Sequence, residues 1–197
     1  MYIIGLTGGI ACGKSAVAET LRRRCKAFTL DIDKVTRWLL LPGEELFEIY
    51  VRHFGQSVLT DEGQLNRRKI GEIIFNHPEE RAWINSVAHP ILLNKARDFL
   101  VECQAAGARL VVLEVPLLFE AGWENLFDEI WAVYTKKKLQ TWRLMVRDQL
   151  TKKQAAARIN SQMSREEVWA RVDVKIWNVN SRYTRKQIFE ALHGRIF

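Results

Sequence analysis

Residues Gly8 to Ser15, GGIACGKS, fit the pattern G-x-x-x-x-G-K-[ST]. Few side chains crowd this stretch. Gly8, Gly9, Ala11, Cys12, Gly13 and Ala16 are all small, so backbone N–H groups can curl into an anion-binding nest. A helix starting near Lys14 adds its positive end to that nest. The Lys14 ammonium can reach the β- and γ-phosphates of a bound nucleotide, and the Ser15 hydroxyl can bind Mg²⁺. Cys12 sits where a thiol could be activated by a helix N-terminus. It reads instead as a small residue whose backbone matters. No guanine-reading N-K-x-D is present, which argues against a GTPase.

A second set of residues bears on what happens to the phosphate. Asp31 and Asp33, in DID, close a short apolar run. A hydroxyl acceptor needs a carboxylate to take its proton, and Asp33 is the candidate. The same aspartate could instead cap the helix that follows. Glu114 ends another apolar run, either as an aid to Mg²⁺ or its water, or as a structural carboxylate. Arg143, Arg147 and Arg158 lie on or near helices late in the chain. They could clamp a transferring phosphate from a closing lid, or simply form a solvated basic face.

Stepping outward, these residues need a scaffold. YIIGL reads as a short buried parallel strand, and AFTL, RLVVLEV, EIWAVY and VKIW as further strands. Helical patterns run from Lys14 to about Arg24, and after Asp33 to about Leu41. Between Glu44 and Ala106 the chain reads as helices and turns, with Pro90 expected to bend or divide the longest helix. Helices alternate with strands at both ends. The expected fold class is α/β: a three-layer αβα fold around a parallel sheet, with a helical insertion between the second and third strands. Residues 1–36 and 107–197 would form the nucleotide-binding core. Residues 37–106 would form the insertion. Ligands of such sheets gather beyond the carboxyl ends of the strands, where Asp31, Asp33, Glu114 and Pro116 fall.

Composition narrows the partners. The 197 residues are 48% hydrophobic and 27% charged, as in ordinary globular proteins. Thirty basic against 23 acidic side chains give a net charge of +7, which suits an anionic partner or a cationic solvated surface. No apolar run is long enough to span a bilayer, and the first one lacks the marks of a signal peptide. Three widely spaced cysteines suggest neither a zinc site nor a disulfide framework, and a reducing cytoplasm fits best. The seven tryptophans fall mostly within apolar patterns and are expected in the core.

Taken in order, GLTGGIACGKS, DID, LPG, HFG, DEGQLNRRKI, HPILL, LEVPLLFEAG, RDQLTKKQAAARINSQMS and VDVKIWNVNS resemble the dephospho-coenzyme A kinase family along nearly the whole chain. VPLLFE is the most discriminating block. The resemblance implies transfer of phosphate from ATP to the ribose 3′-hydroxyl of dephospho-coenzyme A, the last step of coenzyme A synthesis. It assigns Gly8 to Ala16, with Arg147 and Asn178, to ATP, and Ser15 and Glu114 to Mg²⁺. It implies Asp33 as base, aided by Lys14 and Arg143, with Arg158 on a helical lid over about 148–163. The acceptor side would take Thr7, Asp31, Arg67, His89, Pro116, Leu117 and Glu120. No nucleic acid and no membrane partner are expected. The chain departs from the family pattern at Glu114, where an aspartate is usual, and at Trp177 and Asn180 in the closing loop, which bear on nucleotide preference. Two other readings compete: another small-molecule P-loop kinase, acting on a nucleoside or nucleotide, and a nucleotide-dependent nucleic-acid-binding protein. The latter would need basic residues interleaved with aromatics on one face.

Overall fold

The computed structural model describes residues 1–195. Five strands form one sheet: β1 (Tyr2–Thr7), β2 (Phe28–Asp31), β3 (Leu110–Glu114), β4 (Glu129–Tyr134) and β5 (Val174–Trp177), in the order β2-β3-β1-β4-β5. The pairs β1–β3, β1–β4 and β4–β5 are parallel. The central strands are apolar on both faces, as a strand covered on both sides must be. Ile4 and Leu6 of β1, Val112 of β3, Trp131 and Val133 of β4 and Ile176 of β5 share one core with α1 (Lys14–Cys25) and α9 (Ser181–Leu192). Val17, Ala18 and Leu21 bring the apolar face of α1 into that core. Truncating the fully buried Leu21 to alanine would cost about 2–5 kcal/mol. Beyond β4 come α6 (Lys137–Asp148), α7 (Lys152–Asn160) and α8 (Arg165–Trp169), with α6 packed on α7.

Between β2 and β3 lie α2 (Ile32–Leu39), α3 (Glu45–Phe54), α4 (Arg67–Asn76) and α5 (Pro78–Ala105). The chain divides into two compact units. One is Met1–Leu30 with the described chain from Phe99 on, and the other is Asp31–Asp98. The second unit has its own buried residues, among them Leu39, Leu46, Phe47, Tyr50, Val58 and Ile84. Burial raises the Tyr50 hydroxyl to about 12. The His53 ring stacks on Trp83 with centroids 3.5 Å apart, and its Nε2 lies 2.7 Å from Glu80.

Three expectations need correction. The cap of α2 is Asp31, whose side chain accepts from the Lys34 N–H at 3.2 Å, while Asp33 sits exposed in the first turn. Pro90 does not divide its helix, which runs unbroken for 28 residues. Ile84, Ala88, Leu92, Ala96 and Leu100 are buried at four-residue spacing across the proline, which is itself exposed. Continuous burial on one face thus outweighs the roughly 3 kcal/mol that an interior proline costs. Finally, Trp123 and Trp131 are buried, but Trp38 and Trp142 are about half exposed. Both lie on helices that bury other residues, Ile32 and Leu39 on α2 and Leu144 on α6, so helical spacing alone overstated the burial of the two tryptophans.

Candidate active site

β1 delivers the chain into the glycine loop, and α1 leaves it. The parallel register pairs Leu6 with Glu114, which sets the carboxyl ends of β1 and β3 side by side. Gly8 lies against the backbone of β4: a Cβ there would stand 2.3 Å from the Val133 carbonyl oxygen and 2.9 Å from its nitrogen. Its φ of 132° is also foreign to residues with side chains. Gly13, with φ 93°, is the N-cap of α1, and no side chain caps that helix. α3 and α6 also lack a side-chain cap, whereas α2, α4, α7, α8 and α9 have one. The first turn of α1 therefore presents its backbone donors and dipole to the loop, the arrangement that suits an anion.

Between the glycines, Ala11 adopts φ 58°, a left-handed conformation that costs a residue with a Cβ about 1–2 kcal/mol. Hydrogen bonds on either side offset it. The Ile10 N–H donates to Gln162 Oε1 at 2.7 Å, and the Ile10 carbonyl accepts from Gln140 Nε2 at 2.9 Å. The Cys12 carbonyl accepts from Asn178 Nδ2 at 2.9 Å, with Arg143 Nη1 at 3.5 Å. At about 0.5–1.5 kcal/mol each, such bonds match the strain at Ala11. Asn178 is buried just beyond β5. Its Oδ1 accepts from Thr184, and a Cβ on Gly13 would come within 2.0 Å of its Nδ2. The Cys12 side chain is buried in the core, and burial pushes its thiol pKa up. An activated thiolate is therefore disfavoured, and the carbonyl is the part of Cys12 that the site engages.

The charged groups divide. Lys14 Nζ donates to the carbonyls of Gly8 at 2.9 Å and Gly9 at 3.4 Å, so the ammonium lies over the start of the loop. Ser15 Oγ donates to Glu114 Oε2 at 2.9 Å. Arg143 reaches the loop, but Arg147 and Arg158 both bond Asp148, at 2.7 and 2.8 Å. The hydrogen bonds from Arg147, together with both arginine charges, hold the Asp148 carboxyl below its usual range. Thr7 is buried at the end of β1, with its hydroxyl 3.4 Å from the Pro116 carbonyl, while Leu117 and Glu120 are exposed. In the other unit, Asp31 is engaged as a cap, Arg67 starts α4 at the surface, and His89 lies half-buried on α5.

A cleft of about 650 Å³ opens beside the loop, lined by Gly13, Arg24, Arg143, Asn178, Asn180 and Arg185 among others. Asn180 caps α9 by accepting from the Tyr183 N–H at 2.8 Å, and Trp177 is tied to Gln187 through its backbone. Of the two departures from the expected closing loop, Asn180 fixes it through its side chain, while the Trp177 ring packs near Tyr134 and Trp169.

Among the described residues no group of three or more His, Cys, Asp or Glu side chains could hold a metal ion. One hydroxyl beside one carboxylate is nonetheless what Mg²⁺ uses when phosphates and waters fill its other positions. Ser15 and Glu114 fit that ion.

Gln140 and Gln162 were missed as site residues. Gln162 had a signal, since it closes RINSQ within the RDQLTKKQAAARINSQMS segment that carries the resemblance. Gln140 had none, because a glutamine in a polar helix looks like surface.

The profile of the dephospho-CoA kinase family matches residues 2–183. A dephospho-CoA kinase of Carboxydothermus hydrogenoformans is 41% identical over 191 residues, covering 96% of this chain and 92% of that protein. A crystal structure of a Thermus thermophilus protein superposes with a TM-score of 0.83 at 30% identity, over 100% of this chain and 98% of that one. The dephospho-CoA kinase of Campylobacter jejuni gives 0.67 at 30% identity, over 96% and 94%. A glycine loop of phosphate-binding pattern, helices between β2 and β3 and a match that spans both units agree, and the chain belongs to the dephospho-CoA kinase family.

Proposed function

We propose that this protein transfers the γ-phosphoryl group of ATP to the ribose 3′-hydroxyl of dephospho-coenzyme A, releasing coenzyme A and ADP. The observation that carries this reading is the phosphate cradle at Gly8–Ser15, within a family match over residues 2–183. The loop N–H groups and the α1 terminus would bind the phosphates, and Lys14 would neutralise charge on the transferring group. The cleft beside Gly13 and Asn178 would take the nucleoside of ATP, with Arg147 at its phosphates. Ser15, supported by Glu114, would hold Mg²⁺, which supplies charge neutralisation across the phosphate oxygens when bound.

Asp33 is the proposed base. Asp31 is the N-cap, and the Asp33 carboxylate is exposed in the first turn of α2. It would accept the 3′-hydroxyl proton as the oxygen bonds to phosphorus and the bond to ADP breaks. Residues 37–106, with Arg67 and His89, form the proposed acceptor-binding insertion. Thr7, Asp31, Pro116, Leu117 and Glu120 complete the acceptor side in this reading. Residues 148–163 are the proposed lid. Arg158 would turn from Asp148 to the phosphates on closure, while Arg143 approaches them from the loop. No helix among the described residues is long and apolar enough to cross a membrane. We place the protein in the cytoplasm, without a nucleic-acid partner.

The test is a panel of acceptors with Mg²⁺ and ATP: dephospho-coenzyme A, adenosine, AMP and shikimate. ADP formation strongest with dephospho-coenzyme A supports the reading, and equal or greater turnover with another acceptor overturns it.

A further inference from the structure

Both polar backbone atoms of Ile10 are gripped from outside the loop. Its N–H donates to Gln162 Oε1 at 2.7 Å, and its carbonyl accepts from Gln140 Nε2 at 2.9 Å. Gln140 lies on α6, and Gln162 follows the end of α7 by two residues. The two ends of the α6–α7 hairpin therefore hold one residue of the phosphate loop, next to the left-handed Ala11.

Lys14 identifies which end of the loop this is. Its ammonium lies on the Gly8 and Gly9 carbonyls, and the lysine of such a loop reaches the β- and γ-phosphates. Ile10 therefore stands at the terminal-phosphate end. One N–H makes one strong hydrogen bond. A phosphate oxygen is a charged acceptor and outcompetes a neutral carboxamide for it.

We propose that Gln162 is a positioning residue that couples phosphate binding to the α6–α7 hairpin. Its carboxamide holds the Ile10 N–H until a terminal phosphate takes that donor, and the exchange frees the segment after α7. Gln140 keeps the Ile10 carbonyl and is the fixed half of the clamp. Arg158 lies on α7, four residues before Gln162 and next to the segment so released, with its Asp148 partner at the C-terminal end of α6. The inference rests on the nucleotide-binding reading of the loop and is independent of the acceptor's identity.

Calorimetric titration with the Mg²⁺ complexes of ADP and of a non-hydrolysable ATP analogue tests it. Gln162→Leu removes the competing acceptor. The analogue should then bind about 2- to 10-fold more tightly, the factor set by one ordinary hydrogen bond. ADP, lacking the terminal phosphate, should change less than 2-fold. Gln140→Leu should weaken both nucleotides together. The ratio of the two affinities is the readout, because a purely structural loss moves both alike. An unchanged ratio in Gln162→Leu, or weaker binding of the analogue, overturns the proposal. If circular dichroism shows that Gln162→Leu is unfolded, Gln162→Met keeps the side-chain length and is read the same way. Wild-type protein that binds neither nucleotide would overturn the nucleotide reading itself, a distinct failure.

Discussion

Ser15 Oγ donates to Glu114 Oε2 across 2.9 Å, tying the first turn of α1 to the end of β3 over 99 residues of sequence. The Glu114 side chain is nearly buried, and the parallel register of β1 with β3 brings it to the loop. A glutamate reaches one methylene further than the aspartate of the family pattern, and here that reach ends on the hydroxyl proposed to hold Mg²⁺.

Glu114→Ala should raise the Mg²⁺ concentration needed for half-maximal rate by about 10–100-fold, the usual consequence of losing a group that orients a metal ligand. Glu114→Asp should remain within about tenfold of wild type. A magnesium titration of the initial rate checks both, and a wild-type magnesium response in Glu114→Ala would assign the carboxylate to structure alone.

Asn178 acts through the loop in this structure, by donating to the Cys12 carbonyl. Asn178→Ala should raise KM for ATP by about 5–100-fold, since an unsatisfied buried carbonyl costs about 1–3 kcal/mol. Asn178→Asp keeps the shape but turns an acceptor toward that carbonyl, and should be worse than alanine. Steady-state kinetics with saturating acceptor would show it.

Asp148 makes stability depend on acid pH. Hydrogen bonds from Arg147, with both arginine charges, lower its pKa below the ordinary 3.8 in the folded state. The contribution is therefore complete above the unfolded value, and it is lost as pH falls through the lower, folded one. Because both arginines are more than half exposed, the pair is worth only about 0.2–1 kcal/mol. Urea unfolding of wild type and Asp148→Asn should differ by that amount at pH 6, and the difference should shrink as pH falls through the lowered pKa of the folded state.

Asp33→Asn should cut kcat by about 10²–10⁴-fold if the carboxylate is the general base, with nucleotide binding largely kept. Single-turnover transfer measured beside calorimetric ATP affinity separates the two effects. A near-normal rate would remove Asp33 from the chemistry.

The sheet was legible in the sequence because each strand is a short apolar run next to a glycine or charged stop. The phosphate loop was legible because its geometry demands small residues at fixed spacing. What escaped detection depended on distant pairings. Asp31 rather than Asp33 caps α2, a choice that turns on one residue of helix phase. Arg147 and Arg158 meet at Asp148, because α6 packs on α7 in a way no local pattern encodes. Gln140 reaches Ile10 across 130 residues, and Gln162 does so across 152. Periodicity reports which face of a helix is buried, but a polar side chain at the margin of that face gives no sign of its partner.

The most direct measurement of the central claim is the position of the transferred phosphate. Purified protein, Mg²⁺–ATP and dephospho-coenzyme A should yield one product, with phosphorus NMR and mass spectrometry placing the new group on the ribose 3′-oxygen, in amounts equal to the ADP formed. ADP released without a phosphorylated acceptor, or phosphate found on any other hydroxyl, would contradict the account.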